Sequence, residues 1–173
     1  MQSLLGHLPV VDNFPRPGVR FRDISPLLAD PRAFAQAVAG LAALAADWRC
    51  EQVAGVESRG LIFATALASH LQLGLTLLRK PGKLPPPVLR ETYDLEYGQD
   101  ALELQPARIA SGARVLLVDD VIATGGTLLA GARLVRQAGG QVVGAVALLE
   151  IAALPGSAAL RAAGVPVAAL LRA

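Results

Sequence analysis

The sequence predicts an α/β chain built on a mostly parallel, doubly wound sheet, and three observations carry that expectation. Short apolar runs rich in Val, Leu and Ala alternate along the chain with segments whose apolar residues recur at helical spacing. The composition is 53% apolar but only 4% aromatic, so small aliphatic side chains must do the packing. Gly and Pro are spread throughout rather than clustered, as turns between many short elements require. At 173 residues the chain is expected to form one domain, spanning 1–173, that buries roughly two-thirds of the surface its unfolded form exposes.

The elements follow in order. Residues 30–48, DPRAFAQAVAGLAALAADW, read as a helix: Asp30 can cap it, Pro31 fits the first turn, and Phe34, Val38, Leu41 and Ala45 share a stripe. Trp48 is expected to pack at its end. EQVAGV (51–56) reads as a buried strand, and LIFATALASHL after Gly60 as a helix apolar nearly all round, wedged against a sheet. LTLLR (75–79) and ARVLLVD (113–119) are further strands. TLLAGARLVRQAGG is a helix that Gly139 stops, QVVGAVALLE a fourth strand, 157–163 a short helix and PVAALL a fifth strand. Between two strands lies a Pro- and Gly-bearing insert, residues 80–105, of a length that is commonly functional.

The formal charge of +2 argues against a nucleic-acid partner, which would demand a basic face. Cys50 is the only cysteine, so no internal disulfide can form and a reducing, cytoplasmic setting is expected. The N-terminal MQSLLGHLPVV lacks a basic signal-peptide region. Apolar runs such as VVGAVALLEIAAL are too short to span a bilayer and carry a Glu. His7 is expected to be a flexible N-terminal residue and His70 a partly exposed one.

The most informative stretch is VLLVDDVIATGGTLL, residues 115–129. Gly-Gly in a strand-to-helix turn can aim backbone N–H groups and the positive end of a helix at one anion. Thr124 and Thr127 add hydroxyls. Neither GxxxxGK[ST] nor GxGxxG is present. Asp119 and Asp120 are expected to end the strand just before the turn. Carboxylates repel phosphate, but they accept hydrogen bonds from a ribose diol, each charge-assisted bond contributing roughly 1.5–3 kcal/mol. A 5-phosphoribosyl group presents both chemistries.

VLLVDDVIATGGT resembles the phosphoribosyl-pyrophosphate signature of type I phosphoribosyltransferases, and its ATGGT ending is most similar to the adenine-using branch. The resemblance extends through PRPGVRFRDISPLL, VAGVESRG, RKPGKLP and YDLEYGQDALEL. It implies the type I fold, with a small N-terminal hood over about 1–28 and a long flexible loop over about 80–105. It also implies a purine-salvage transferase that makes AMP and pyrophosphate from adenine and 5-phosphoribosyl 1-pyrophosphate, with Mg²⁺ carried by the substrate and no direct metal ligand, as a homodimer. By the same resemblance, Ala123, Thr124, Gly125, Gly126 and Thr127 hold the 5′-phosphate, and Asp119 and Asp120 the ribose hydroxyls. Glu57, Ser58, Arg59, Arg79, Lys80 and Lys83 surround the pyrophosphate, with Arg59 and Lys83 among the catalytic groups. The two lysines are the only ones among 16 basic residues, and a compact ammonium suits a mobile contact to phosphate. Glu96 is the acid that exchanges a proton with the purine, with Tyr97 beside it closing the pocket; spacing alone does not separate Glu96 from Glu91, Asp94 or Asp100. Phe21 stacks on the base, while the carbonyl of Arg20 and the N–H of Arg22 read its edge. Two rivals share the pattern: a transferase for the 6-oxopurines guanine, hypoxanthine or xanthine, and a non-catalytic regulator that senses phosphoribosyl pyrophosphate. Regulators on this fold carry an added DNA-binding domain, and residues 1–14 are too few for one.

Overall fold

A computed structural model describes residues 2–94 and 99–173. Glu96 and Tyr97 lie outside these described residues. The N-terminal segment holds α1 (Gln2–Leu5), an antiparallel pair β1 (Val10–Asp12) and β2 (Arg20–Arg22), and α2 (Ser25–Ala29). The main run is α3 (Pro31–Ala45), β3 (Gln52–Val56), α4 (Gly60–Leu71), β4 (Gly74–Leu78), β7 (Arg114–Ile122), α5 (Gly126–Gln137), β8 (Gln141–Glu150), α6 (Gly156–Ala162) and β9 (Val167–Arg172). Between β4 and β7 come β5 (Leu89–Asp94) and β6 (Gln99–Leu104).

The principal sheet is five-stranded, in the order β4-β3-β7-β8-β9, and every pairing in it is parallel. Its strands alternate sides: Val115 and Leu117 of β7 join one apolar cluster with α5 and α6, while Leu116 and Val118 join the other with α3 and α4. This is the period-two consequence of covering both faces. On the second face Phe63 of α4 is fully buried against Phe34 of α3, ring centroids 5.9 Å apart, a burial that contributes about 2–3 kcal/mol. It seats the helix whose first turn reaches the site.

Local chemistry accounts for the boundaries. Asp30 accepts from the N–H groups of Arg32 and Ala33 at 2.8 and 3.1 Å, and Pro31 occupies the first turn, where its missing donor is harmless. Trp48 packs on β8 over Gly144, where a Cβ would come within 2.3 Å of the indole. Gly139, at φ +87°, follows the end of α5. His7 is not a loose terminal residue: its ring bonds Asp30 at 3.2 Å. No described helix is long and apolar enough to cross a membrane.

Residues 80–105 are not wholly loop. β5 and β6 pair antiparallel from Leu89↔Leu104 to Asp94↔Gln99, and Tyr93, Leu102 and Leu104 are buried in the cluster beneath α5. Glu91 ties this hairpin down by accepting from Arg133 at 2.5 Å and Gln137 at 3.1 Å, both on α5. The charged residues interleaved along both strands hid that buried face.

Candidate active site

Counting only the strands of the main sheet, chain order reverses between β3 and β7, and in open α/β sheets ligands bind beyond the carboxyl ends at such a point. Glu57, Ser58 and Arg59, which leave β3, and Ala123, Thr124, Gly125 and Thr127, which leave β7, line a cavity of about 410 Å³. Asp119, Asp120, Lys80, Tyr93 and Asp100 line it too.

Asp119 and Asp120 do not end their strand. β7 runs through both to Ile122, because β8 is long enough to keep pairing as far as Ile122↔Glu150, and the ladder outweighs the poor strand preference of Asp. The two carboxylates are consequently buried, at 8% and 6% exposure. Asp120 is compensated by Arg59, Nε to Oδ2 at 2.6 Å. Asp119 accepts the N–H of Asp120 at 2.8 Å. Burial, and then the charge of Asp120, push the Asp119 carboxyl well above its ordinary range. The crowding is close: a Cβ on Gly60 would lie 2.7 Å from Asp119 Oδ1 and 2.9 Å from its Cα, so only glycine lets α4 start here.

The turn after β7 is held open for an anion. Gly125 sits at φ +86° with no side-chain cap on α5 and no acid in its first turn, so the helix presents its positive end and its unpaired N–H groups. Thr124 is exposed and Thr127 half-buried. The turn is braced from behind, Gly156 donating its N–H to the Ala123 carbonyl at 3.0 Å. A Cβ on Gly156 would come within 2.4 Å of that oxygen.

On the opposite wall the Glu57–Ser58 peptide is cis. Glu57 accepts from Arg79 Nε at 2.8 Å and from the Lys80 N–H at 2.7 Å. Burial opposes ionisation of Glu57, but these bonds and the charges of Arg79 and Lys83 outweigh it and hold the carboxyl below its usual range. The buried Glu103 accepts the Gly82 N–H at 2.9 Å. Two carboxylates therefore fix the basic turn 79–83, while the side chain of Lys83 stays exposed at its tip. A carboxylate so occupied organises cations around the cavity and does not itself donate to an anion.

A second cavity of about 150 Å³ adjoins the first and shares Arg59, Asp120 and Val121 with it. Arg20, Phe21 and Arg22 line it, as β2 delivers them. The Phe21 ring meets Phe14 edge-on at 5.1 Å and carries the Arg59 guanidinium 4.8 Å from its centroid, a distance at which a cation is attracted to the ring face. Arg59 thus stands between the two cavities, which explains a cation at a helix N-cap.

Sequence reasoning singled out most of this wall but missed Tyr93, and left Asp100 as one choice among several acids. The signal was available: a hairpin closing at 94↔99 makes Tyr93 and Asp100 cross-strand partners. Glu91 is consumed by α5. Among the described residues no group of three or more His, Cys, Asp or Glu could hold a metal ion.

Residues 28–157 match the family described as a phosphoribosyl transferase domain. The chain is 55% identical over 155 residues to the adenine phosphoribosyltransferase of Polynucleobacter asymbioticus, covering 90% of each. It superposes on the crystal structure of the adenine phosphoribosyltransferase of Rhodothermus marinus with a TM-score of 0.93 and 44% identity, over 99% of this chain and 97% of that one. It is also similar to the Saccharomyces cerevisiae adenine phosphoribosyltransferase, a structure complexed with an imino-altritol bisphosphate and adenine, at TM-score 0.91 and 34% identity over 98% and 97% of the two chains.

The raised Asp119 carboxyl carries a stability signature. Between its ordinary and its raised value the folded chain holds more protons than the unfolded one, so stability falls as pH rises through that window. Asp119→Asn is expected to melt above wild type in mildly alkaline buffer and to approach it at acid pH, while ligand binding weakens. Melting curves across pH check this; equal melting points at both ends would contradict it.

Proposed function

The chain belongs to the adenine phosphoribosyltransferase family, and from that premise we infer how its residues carry the reaction. It transfers the 5-phosphoribosyl group of 5-phosphoribosyl 1-pyrophosphate to N9 of adenine, giving AMP and pyrophosphate. The observation that supports the assignment of roles best is the run from the paired Asp119 and Asp120 straight into the uncapped turn Ala123–Thr127, in one cavity with the basic wall.

The 5′-phosphate sits on the N–H groups of Ala123, Thr124, Gly125, Gly126 and Thr127, with the two threonine hydroxyls closing on it. Asp120 Oδ1 and Asp119 take the 2′ and 3′ hydroxyls. Arg59, Arg79, Lys80 and Lys83, with the backbone around Ser58, surround the pyrophosphate, and Glu57 keeps Arg79 and the Lys80 N–H in place. As N9 approaches the anomeric carbon, the bond to pyrophosphate breaks with its electron pair. Fixed cations aimed at the departing oxygens stabilise that charge separation.

Adenine occupies the cavity under β2, stacked on Phe21. The Arg20 carbonyl accepts from its exocyclic amine and the Arg22 N–H donates to N1. A 6-oxopurine inverts that pattern and would leave buried groups unpaired at about 1–3 kcal/mol each. Glu96, between β5 and β6 in sequence, takes the proton released by the purine, with Tyr97 next to it in the chain.

Magnesium fits this site as a passenger. The described residues offer no cage of acids and imidazoles, and a hard cation that retains waters is content with phosphate and hydroxyl oxygens. Of the carboxylates lining the cavity, Glu57, Asp100 and Asp120 already serve cations, which leaves Asp119 to face such a complex. When bound, the ion supplies charge neutralisation to the pyrophosphate. A homodimer is the assembly this reading implies, and the outer side of α4, where Ile62 is 40% exposed, offers an apolar face for it. Sedimentation velocity checks it, a lone monomer-sized species counting against.

Incubated with phosphoribosyl pyrophosphate, Mg²⁺ and each purine in turn, the protein is expected to form AMP from adenine and at most a trace of nucleotide from guanine, hypoxanthine or xanthine. Comparable turnover of a 6-oxopurine would defeat the edge-reading assignment. Lys83→Ala is expected to raise KM for phosphoribosyl pyrophosphate by about tenfold, as for one lost charge-assisted contact; unchanged initial-rate kinetics would remove Lys83 from the site.

A further inference from the structure

Lys80 enters the main cavity already engaged. Its ammonium donates to the Asp100 carboxylate and to the Tyr93 hydroxyl, the latter at 3.1 Å. Tyr93 and Asp100 face each other across the β5–β6 ladder, so both partners of the ammonium are set side by side by one register pair. Tyr93 is only 5% exposed, and its ring centroid lies 5.6 Å from the ammonium. The backbone is pinned independently, the Lys80 N–H being held by Glu57. The lysine side chain can therefore change partners without moving the turn.

All three side chains line the same cavity as Arg59, Thr124 and Asp119. An ammonium has three donors, and two are committed here to groups that belong to the β5–β6 hairpin. A polyphosphate arriving in this cavity must compete with a carboxylate for Lys80.

We propose that Asp100, steadied by Tyr93, is an intramolecular competitor for Lys80: it holds the ammonium in the empty site, yields it to the phosphates of the substrate, and reclaims it as pyrophosphate departs. The proposal rests on the reading of Lys80 as a pyrophosphate-binding residue. Its chemical logic is that of limiting ground-state grip. A cation that bound substrate and product phosphates equally would lower KM and slow release without helping the chemical step. A resident carboxylate subtracts from affinity for both, while Lys80 stays charged and close by. Asp100 acts through Lys80 and is a positioning residue, not a catalytic one.

The test uses the full chain as wild type, Asp100→Asn, Lys80→Met and the double variant. Pyrophosphate binding with magnesium is followed by calorimetry, and initial rates are measured for both substrates. Asp100→Asn is expected to bind pyrophosphate about three- to tenfold more tightly, the range of a part-exposed ion pair with charge-assisted bonds. KM for phosphoribosyl pyrophosphate should fall by a similar factor, with KM for adenine unmoved. In the Lys80→Met background the substitution should have no effect on pyrophosphate. If Asp100→Asn fails to tighten binding while Lys80→Met weakens it, the competitor role is overturned and the role of Lys80 stands. Equal tightening in the Lys80→Met background overturns it as well, because the effect would then be a general loss of negative charge. Lys80→Met that binds pyrophosphate as wild type does overturns the underlying reading, and the proposal with it.

Discussion

The site depends on placing two buried carboxylates beside a turn built for anions, and a single guanidinium makes that tolerable. Asp119 and Asp120 lie on a strand that refuses to end, under the first turn of α4. Burying an unpaired carboxylate costs several kcal/mol. Arg59 neutralises one, at 2.6 Å, and burial beside that neighbour raises the proton affinity of the other. Gly60 is the geometric condition for both, since any side chain there would collide with Asp119. Through its contact with Phe21, the same guanidinium joins the main cavity to the smaller one under β2.

A second theme is acids used to arrange bases. Glu57 holds Arg79 and the Lys80 N–H, Glu103 holds the Gly82 N–H, Asp100 holds the Lys80 ammonium, and Glu91 fastens the hairpin to α5. None of these acids needs to touch a substrate. Glu57, Glu103 and Glu91 set Arg79 and the backbone of the basic turn and hairpin before an anion arrives, which is where electrostatic stabilisation draws its strength, while Asp100 holds the Lys80 ammonium in reserve. Because α5 starts at the turn after β7, the Glu91 contact ties the hairpin and that turn to one helix.

What distinguishes the two ends of the cavity is the kind of group each uses. The turn after β7 offers main-chain N–H groups set by Gly125 and braced by Gly156. The basic wall relies on long side chains that can exchange partners. The first suits a phosphate that the transferred group carries throughout the reaction, and the second suits one that must leave.

The sequence by itself determined the succession of elements and the local chemistry of the turn. Apolar periodicity, the Asp30 cap and Gly139 are short-range signals, and so is the adjacency of DD to ATGGT, because residues so near in the chain cannot be far apart in space. Glu57, Arg79, Lys80 and Phe21 were legible as candidates for the same reason, each lying in a short motif of its own. Only the tertiary structure decided that β7 continues through both aspartates, since that depends on how far β8 accompanies it. It also decided that the insert folds as a hairpin, that Arg59 bridges two cavities, and that Lys80 meets Tyr93 and Asp100, 13 and 20 residues away. Those are pairings across a sheet or a turn, and register is set by which faces are buried together rather than by any residue's own preference.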